Sequence, residues 1–206
     1  MSGRTKFLLL GLITVGLGLS LGDCSNPTTA PSSSYTTIAW QPNGTGWTQY
    51  ETNDPSKIGF SNWYIIPGSS MPAGVTKTGV IQNSGSPSAQ LGMAFGYLSS
   101  NSFWAFQILN SGSVACGKWN GLAWQSTGVT FDVLPPGTIL QGAGLENDVS
   151  ISYDGVSNVS CYVNGTIAAS ITGVPGLTGS NTGFIVYVDS SEHFPQVPLN
   201  ALFKQY

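Results

Sequence analysis

Gln90 and Gln107 frame a run, AQLGMAFGYLSSNSFWAFQ, that is otherwise built mostly of apolar and small residues. A carboxamide offers both donors and an acceptor, so two of them on one surface would hold a neutral polar ligand such as a sugar or a peptide backbone. Acid–base chemistry is another matter, because an amide exchanges no proton at useful pH and neither glutamine can act as a general base. The carboxylates do not fill the gap. Asp132, Glu146, Asp148 and Asp154 do not form the close acidic array on one strand that sugar hydrolysis by paired carboxylates would use. His193, the only histidine, lies in the loop-like HFPQVP, which leaves a Ser–His–Asp triad unsupported. One histidine and no CxxC pair give zinc nothing to bind, and no cofactor is implied.

Strands must position these amides. Side chains alternate across a strand, so residues 89–97 divide into Leu91, Met93, Phe95 and Tyr97 on one face and Gln90, Gly92, Ala94 and Gly96 on the other. Residues 102–109 divide likewise into Trp104, Phe106 and Ile108 against Phe103, Ala105 and Gln107. A four-residue hairpin loop, 98–101, would pair Tyr97 with Ser102 and set Phe95 opposite Trp104, Met93 opposite Phe106 and Leu91 opposite Ile108. Gln107 then faces Gly92, and Gln90 is its diagonal neighbour at roughly 7–8 Å. The slender face so formed is either a concave groove with two amides on its floor or a shallow solvated surface. In NTGFIVYVD, Tyr187 and Asp189 would line the same groove if that strand joins the sheet. The expected ligand contacts are Gln90, Gln107, Phe103 and Tyr187.

Other short strand-like runs are 59–66, 78–81, 128–133, 148–153, 158–163 and 166–171, with turn signals between them and no sustained helical period after the leader. Asp154-Gly155 and Asn164-Gly165 mark hairpin turns; the second would place Ile167 opposite Tyr162 and Ala168 opposite Cys161. Asn43, Asn158 and Asn164 begin Asn-x-Ser/Thr triplets, read as turn residues or, in a glycosylating host, as acceptors. The pattern predicts an all-β, antiparallel two-sheet sandwich or barrel.

The chain has 206 residues, enough for one sizeable core. Only 7% are charged, against roughly 25% in an ordinary soluble domain. Net charge is −3, with no basic stripe to neutralise phosphates, which excludes a nucleic-acid partner. Arg4 and Lys6 precede the apolar run Phe7–Leu21, which reads as an export signal, shorter than the about 20 residues of a spanning helix. LGDC, ending at Cys24, followed by SNPTTAPSSS, resembles a lipoprotein signal with its tether; the alternative cut follows Gly22. This gives a leader over 1–24, a Ser/Thr/Pro-rich tether over 25–34 and a single domain over 35–206, in an extracytoplasmic location, touching membrane only through the leader or a lipid anchor. In that compartment Cys116 and Cys161 either form a disulfide or pack as two small hydrophobes.

WYIIP (63–67), AQLGMAFGY, SFWAFQ, VLPPGTILQGAG and NTGFIVYVD, in that order, resemble the landmarks of the glutamic peptidases and their concanavalin A-like relatives over about residues 35 to 190. ISYDG followed by CYVNG resembles the paired strands of laminin-G and legume-lectin-like domains. Both resemblances imply a concanavalin A-like jelly roll. The peptidase resemblance puts the catalytic glutamine on Gln90 and the catalytic glutamate on Gly183, with Gln107 where another strand carries an acid. Asp189 or Glu146 would have to replace the missing acid. The expected function is an exported module binding a carbohydrate or peptide-like polymer on a concave sheet face. Trp40, Trp47, Trp119 and Trp124 are further candidates for stacking on sugar rings. The alternatives are an acid endopeptidase related to the glutamic peptidases and a non-catalytic surface protein.

Overall fold

Two-residue alternation forces each strand to lay one side on a shared core, and the antiparallel solution is two sheets face to face. The computed structural model describes residues 37–42, 44–52, 60–74, 76–83, 89–99, 102–109, 111–126, 132–174, 176–188 and 199–206. All of these fall in the unit Ser34–Tyr206. Among them no helix is long and apolar enough to cross a membrane. The strands are β1 (Thr37–Pro42), β2 (Thr48–Thr52), β3 (Phe60–Ser70), β4 (Thr76–Asn83), β5 (Gln90–Ser99), β6 (Ser102–Leu109), β7 (Ser113–Trp119) and β8 (Trp124–Ser126), followed by β9 (Asp132–Val133), β10 (Leu145–Tyr153), β11 (Val159–Val163), β12 (Thr166–Ile171), β13 (Asn181–Val188) and β14 (Leu199–Gln205). One sheet runs β1-β2-β14-β4-β10-β11-β12; the other runs β3-β13-β5-β6-β7-β8, with β9 also paired to β7. The fold is therefore an all-β, antiparallel, two-sheet jelly-roll sandwich.

The register between β5 and β6 follows the sorting of bulky from slender side chains. Leu91 faces Ile108, Gly92 faces Gln107, Met93 faces Phe106, Ala94 faces Ala105 and Phe95 faces Trp104. The connection differs from the expected four-residue loop. Ser99 pairs with Ser102, and the ladder is irregular between Phe95 and Ser99. Gly96, at φ +68°, takes the left-handed conformation that a bulge needs there, and on the other edge of β5 Tyr97 pairs with Asn181 of β13. A second bulge corrects the β11–β12 hairpin: Ile167 faces Tyr162 as expected, but Cys161 faces Ala169 rather than Ala168. Of the strand expected over 128–133, β9 forms its last two residues, and 128–131 lie outside the described residues.

Leu91, Met93, Phe95 and Phe106 of one sheet pack on Val149, Ile151 and Phe203 of the other in a continuous core. The sandwich closes near β1 through a mixed aromatic–amide cluster. Trp40 sits at the β1 bulge with φ +30° and packs on Tyr50, Tyr64 and Phe203 with ring centroids 5.1, 5.9 and 5.2 Å away. Its indole Nε1 donates to Asn62 Oδ1 at 2.8 Å. Burial pushes the Tyr50 hydroxyl up to about 12, against the opposing hydrogen bond from Asn62. Trp40 is thus half-buried and held by packing against the main core.

No disulfide joins Cys116 of β7 and Cys161 of β11, both of them buried, which corrects the bridge that was one of the two expected states. Burial, and then the neighbouring Cys116 thiol, push Cys161 well above the ordinary thiol range. They serve as small hydrophobes in the core. The Asn-x-Ser/Thr residues that are described hold turns: Asn164 Nδ2 donates to Thr138 O and Asn147 Oδ1, and Asn158 Nδ2 donates to Asp154 Oδ2. In the β10–β11 turn, Asp154 Oδ1 accepts from the N–H groups of Val156, Ser157 and Asn158 at 2.7, 2.9 and 3.0 Å. Those bonds, led by the one from Asn158, lower its carboxyl from 3.8 to about 2.

A group whose folded pKa is depressed contributes stability above its unfolded value and loses it as pH falls through the folded value. Asp154 should therefore support the fold fully above its ordinary value of 3.8 and lose that support as pH drops towards 2. Urea melts across that window should show a shallower acid-side decline for Asp154→Asn than for the parent; identical slopes would refute this role. A Cys24→Ser chain should give no reaction with a thiol reagent when folded and two equivalents once unfolded. Silence after unfolding without reductant would restore the bridge.

Candidate functional site

The register determines which side chains share the outer face of the sheet β3-β13-β5-β6-β7-β8. Ile65, Gly183, Ala94, Ala105 and Gly117 form one row across it, and Trp63, Ile185, Gly92, Gln107 and Ala115 form the next. Tyr187 lies beside Gln90 beyond them, while Phe103, Trp119 and Trp124 align at the opposite end. Small residues thus occupy the middle and aromatic residues the flanks.

The flanks meet. β3 and β7 are separated by three strands, so on a flat sheet they would lie about 19 Å apart. Yet the Trp63 and Trp119 rings have centroids 6.1 Å apart, and Trp63 lies 5.0 Å from Phe103. Trp119 is 5.5 Å from Trp124, which meets Phe103 edge-on at 5.7 Å. Inward lean of the rings cannot close such a gap alone. Twist and curl must make this face concave along the diagonal that joins them.

Two glycines permit that curl. A Cβ on Gly92 would lie 2.0 Å from Phe106 O and 2.7 Å from Gln107 Cα. A Cβ on Gly183 would lie 2.1 Å from Tyr64 O and 2.8 Å from Ile65 Cα, beside an irregularity in both ladders of β13. Only glycine lets neighbouring backbones approach this closely.

The amide floor expected from the sequence is closed. Ala94, Phe103, Ala105 and Ile185 are fully buried in a cluster of their own beneath the half-buried Trp63, Ile65, Tyr97, Trp119 and Trp124. Gln90 and Gln107 are in the expected diagonal relation but are only 8% and 6% exposed. Gln107 Nε2 reaches the Gln90 carbonyl at 3.5 Å. Phe103 backs the indoles and offers no surface to a ligand. Tyr187 is half-buried on the same face. Asp189, Cys24 and His193 lie outside the described residues. Glu146 is exposed on the opposite sheet, opposite Gln82 of β4, and so is not a partner for Gln90. Gly183, where the peptidase resemblance puts the catalytic glutamate, has no room for any side chain. Among the described residues no group of three or more His, Cys, Asp or Glu could hold a metal ion.

Trp63, Trp119 and Trp124 are the residues that sequence reasoning did not bring together. The signal for the last two was present in WNGLAW, an Asn-Gly pair between two tryptophans. Asn120 Oδ1 accepts from the N–H groups of Leu122 and Ala123 at 3.0 and 2.9 Å, which fixes the β7–β8 hairpin.

No protein-family description matches the sequence, and no curated protein does. Solved structures share the fold. A beta-glucanase of Bacillus licheniformis superposes with a TM-score of 0.54 at 12% identity, covering 81% of this chain and 79% of that one. A GH43 protein of the same organism, BlXynB, gives 0.51 at 14% identity over 81% of this chain and 34% of its own length. The carbohydrate-binding module CBM66 of Bacillus subtilis gives 0.49 at 11% identity over 82% of this chain and 91% of that one. The first two likenesses support the two-sheet antiparallel sandwich, and none of the three is to a glutamic peptidase.

Gly92→Ala and Gly183→Ala should each destabilise the fold by about 2 kcal/mol or more, because the obstructing atoms are backbone and cannot rotate away. Urea denaturation checks this; an unchanged midpoint for either variant would mean that the strands are not so close.

Proposed function

We propose that the chain is an exported, non-catalytic β-sandwich module that binds carbohydrate on the concave face of the sheet β3-β13-β5-β6-β7-β8. One observation carries the reading: three half-buried indoles, Trp63, Trp119 and Trp124, converge on the outer side of a sheet whose other side already supplies the core. Rings that were needed only for packing would be expected in the core between the sheets. Here they cover a second, shallow cluster and keep part of their surface in water. The negatively polarised faces of aromatic rings attract the C–H groups of a sugar ring, which is apolar on its faces and polar at its rim. Concave, largely apolar surfaces with a few polar groups are the usual setting of ligand sites.

Export is supported by Arg4 and Lys6 ahead of Phe7–Leu21, and a lipid anchor by the LGDC stretch ending at Cys24. On this reading the sandwich over 35–206 stands off a membrane on the tether 25–34. Fatty-acid labelling that Cys24→Ser abolishes would support the anchor, and cleavage after Gly22 would remove it.

Titration against a panel of soluble polysaccharides, charged and neutral, tests the binding function. Trp119→Ala and Trp124→Ala should weaken binding by about tenfold or more, roughly one aromatic contact, with unchanged circular dichroism. Tyr206→Ala, at the exposed end of the other sheet, should leave affinity unaltered. If no polysaccharide binds, or if the tryptophan variants bind as tightly as the parent, the module is a structural surface protein instead.

A further inference from the structure

Resting on the carbohydrate reading, we infer the class of carbohydrate: an uncharged pyranose polymer with equatorial ring substituents, taken one solvated chain at a time. The ring planes provide the first argument. Trp63 is inclined 45° to Trp119, Trp119 is inclined 59° to Trp124, and Trp63 is inclined 50° to Phe103 beneath it. Indoles inclined in this way share no plane. A crystalline array presents its sugars as a flat layer and could lie against only one of them. A single chain turns about its glycosidic bonds, so successive sugars can meet differently tilted rings.

Charge provides the second argument. None of the described residues that the register places on this face is Asp, Glu, Lys or Arg. Lys118 and Gln125 alternate to the other side of β7 and β8, where the Lys118 ammonium lies 5.6 Å from the centre of the Trp104 ring. A uronate or sulfate group held against the indoles would lose water and gain no counter-charge.

The third argument comes from hydrogen bonding. The Gln107 amide is directed at the Gln90 carbonyl, and both glutamines are buried. The two amides are therefore not available to read individual hydroxyl groups, and the indoles recognise the C–H surfaces of the sugar instead. A pyranose with equatorial substituents presents unbroken axial C–H groups on both sides. An axial hydroxyl interrupts one of those sides and weakens its contact with a ring face.

Soluble β-1,4- and β-1,3-glucans, their carboxymethylated derivatives, a soluble β-mannan and microcrystalline cellulose separate these properties. Calorimetry serves for the soluble polymers and depletion for the solid, all with the full exported domain. The neutral glucans should bind, and Trp119→Ala should weaken them at least tenfold. Carboxymethylation should weaken binding at least tenfold at low salt, β-mannan should bind more weakly than glucan, and the solid should remove almost no protein. Binding of the carboxymethylated or crystalline form as tight as that of neutral soluble glucan would overturn the inference. So would a preference for mannan. Tryptophan-dependent binding of a quite different polysaccharide would defeat this class and leave the carbohydrate reading standing, whereas no binding to any polysaccharide would defeat both.

Discussion

At Gly92 and Gly183 two neighbouring backbones press so close that a Cβ would sit 2.0 or 2.1 Å from a carbonyl oxygen. These positions lie on adjacent strands, β5 and β13, in the middle of the sheet that carries the candidate site. A strand with side chains throughout could not approach so nearly. The missing Cβ atoms let the sheet bend there, and the bend brings side chains from strands far apart in the sheet order into one cluster. The same glycine that makes the curl possible at 183 also leaves no side chain where the peptidase resemblance puts the catalytic glutamate. Shape and chemistry are linked at one residue.

Once the sheet is curled, its two faces do different work. The inner face contributes Leu91, Met93, Phe95, Phe106 and Phe184 to the core between the sheets. The outer face buries Ala94, Ala105 and Ile185 under Trp63, Trp119 and Trp124, so that the rings are supported from below and still reach water. Side chains already held by packing lose little freedom when a ligand arrives, which favours binding. The Asx turn at Asn120 adds to this by fixing the hairpin from which Trp119 and Trp124 project.

The strand pairing of β5 with β6 was legible because bulky apolar residues alternate with small or amide ones from Leu91 to Phe95 and from Trp104 to Ile108, Phe103 being the exception. A slip of one residue would carry the large side chains of one strand to the other face. The bulge at Gly96 was not legible, since a hairpin of four residues and a shorter one with a bulge sort the same side chains to the same faces. Strands β7 and β14 were also missed. β7 alternates Val114 and Cys116 with Ala115 and Gly117, whose small side chains give a weak pattern, and β14 reads LNALFKQ, where Leu202 blurs the polar side. The site suffered most from this. Alternation assigned Gln107 and Gly92 to the right face, but the covering of that face by Trp63 and Trp119 depends on curvature, which no local pattern of residues expresses. The two thiols illustrate the same limit, because whether Cys116 and Cys161 bridge depends on geometry across the two sheets.

The most direct test of this account is the proximity of two rings that the chain separates by more than fifty residues. In protein with isotope-labelled tryptophan, nuclear Overhauser measurements should show contacts between the indole protons of Trp63 and Trp119, whose centroids lie 6.1 Å apart. Loss of those signals on Trp63→Phe would assign them. A well-folded protein with no such contacts would have a flatter sheet, its indoles apart and its floor open, and the aromatic site described above would not exist.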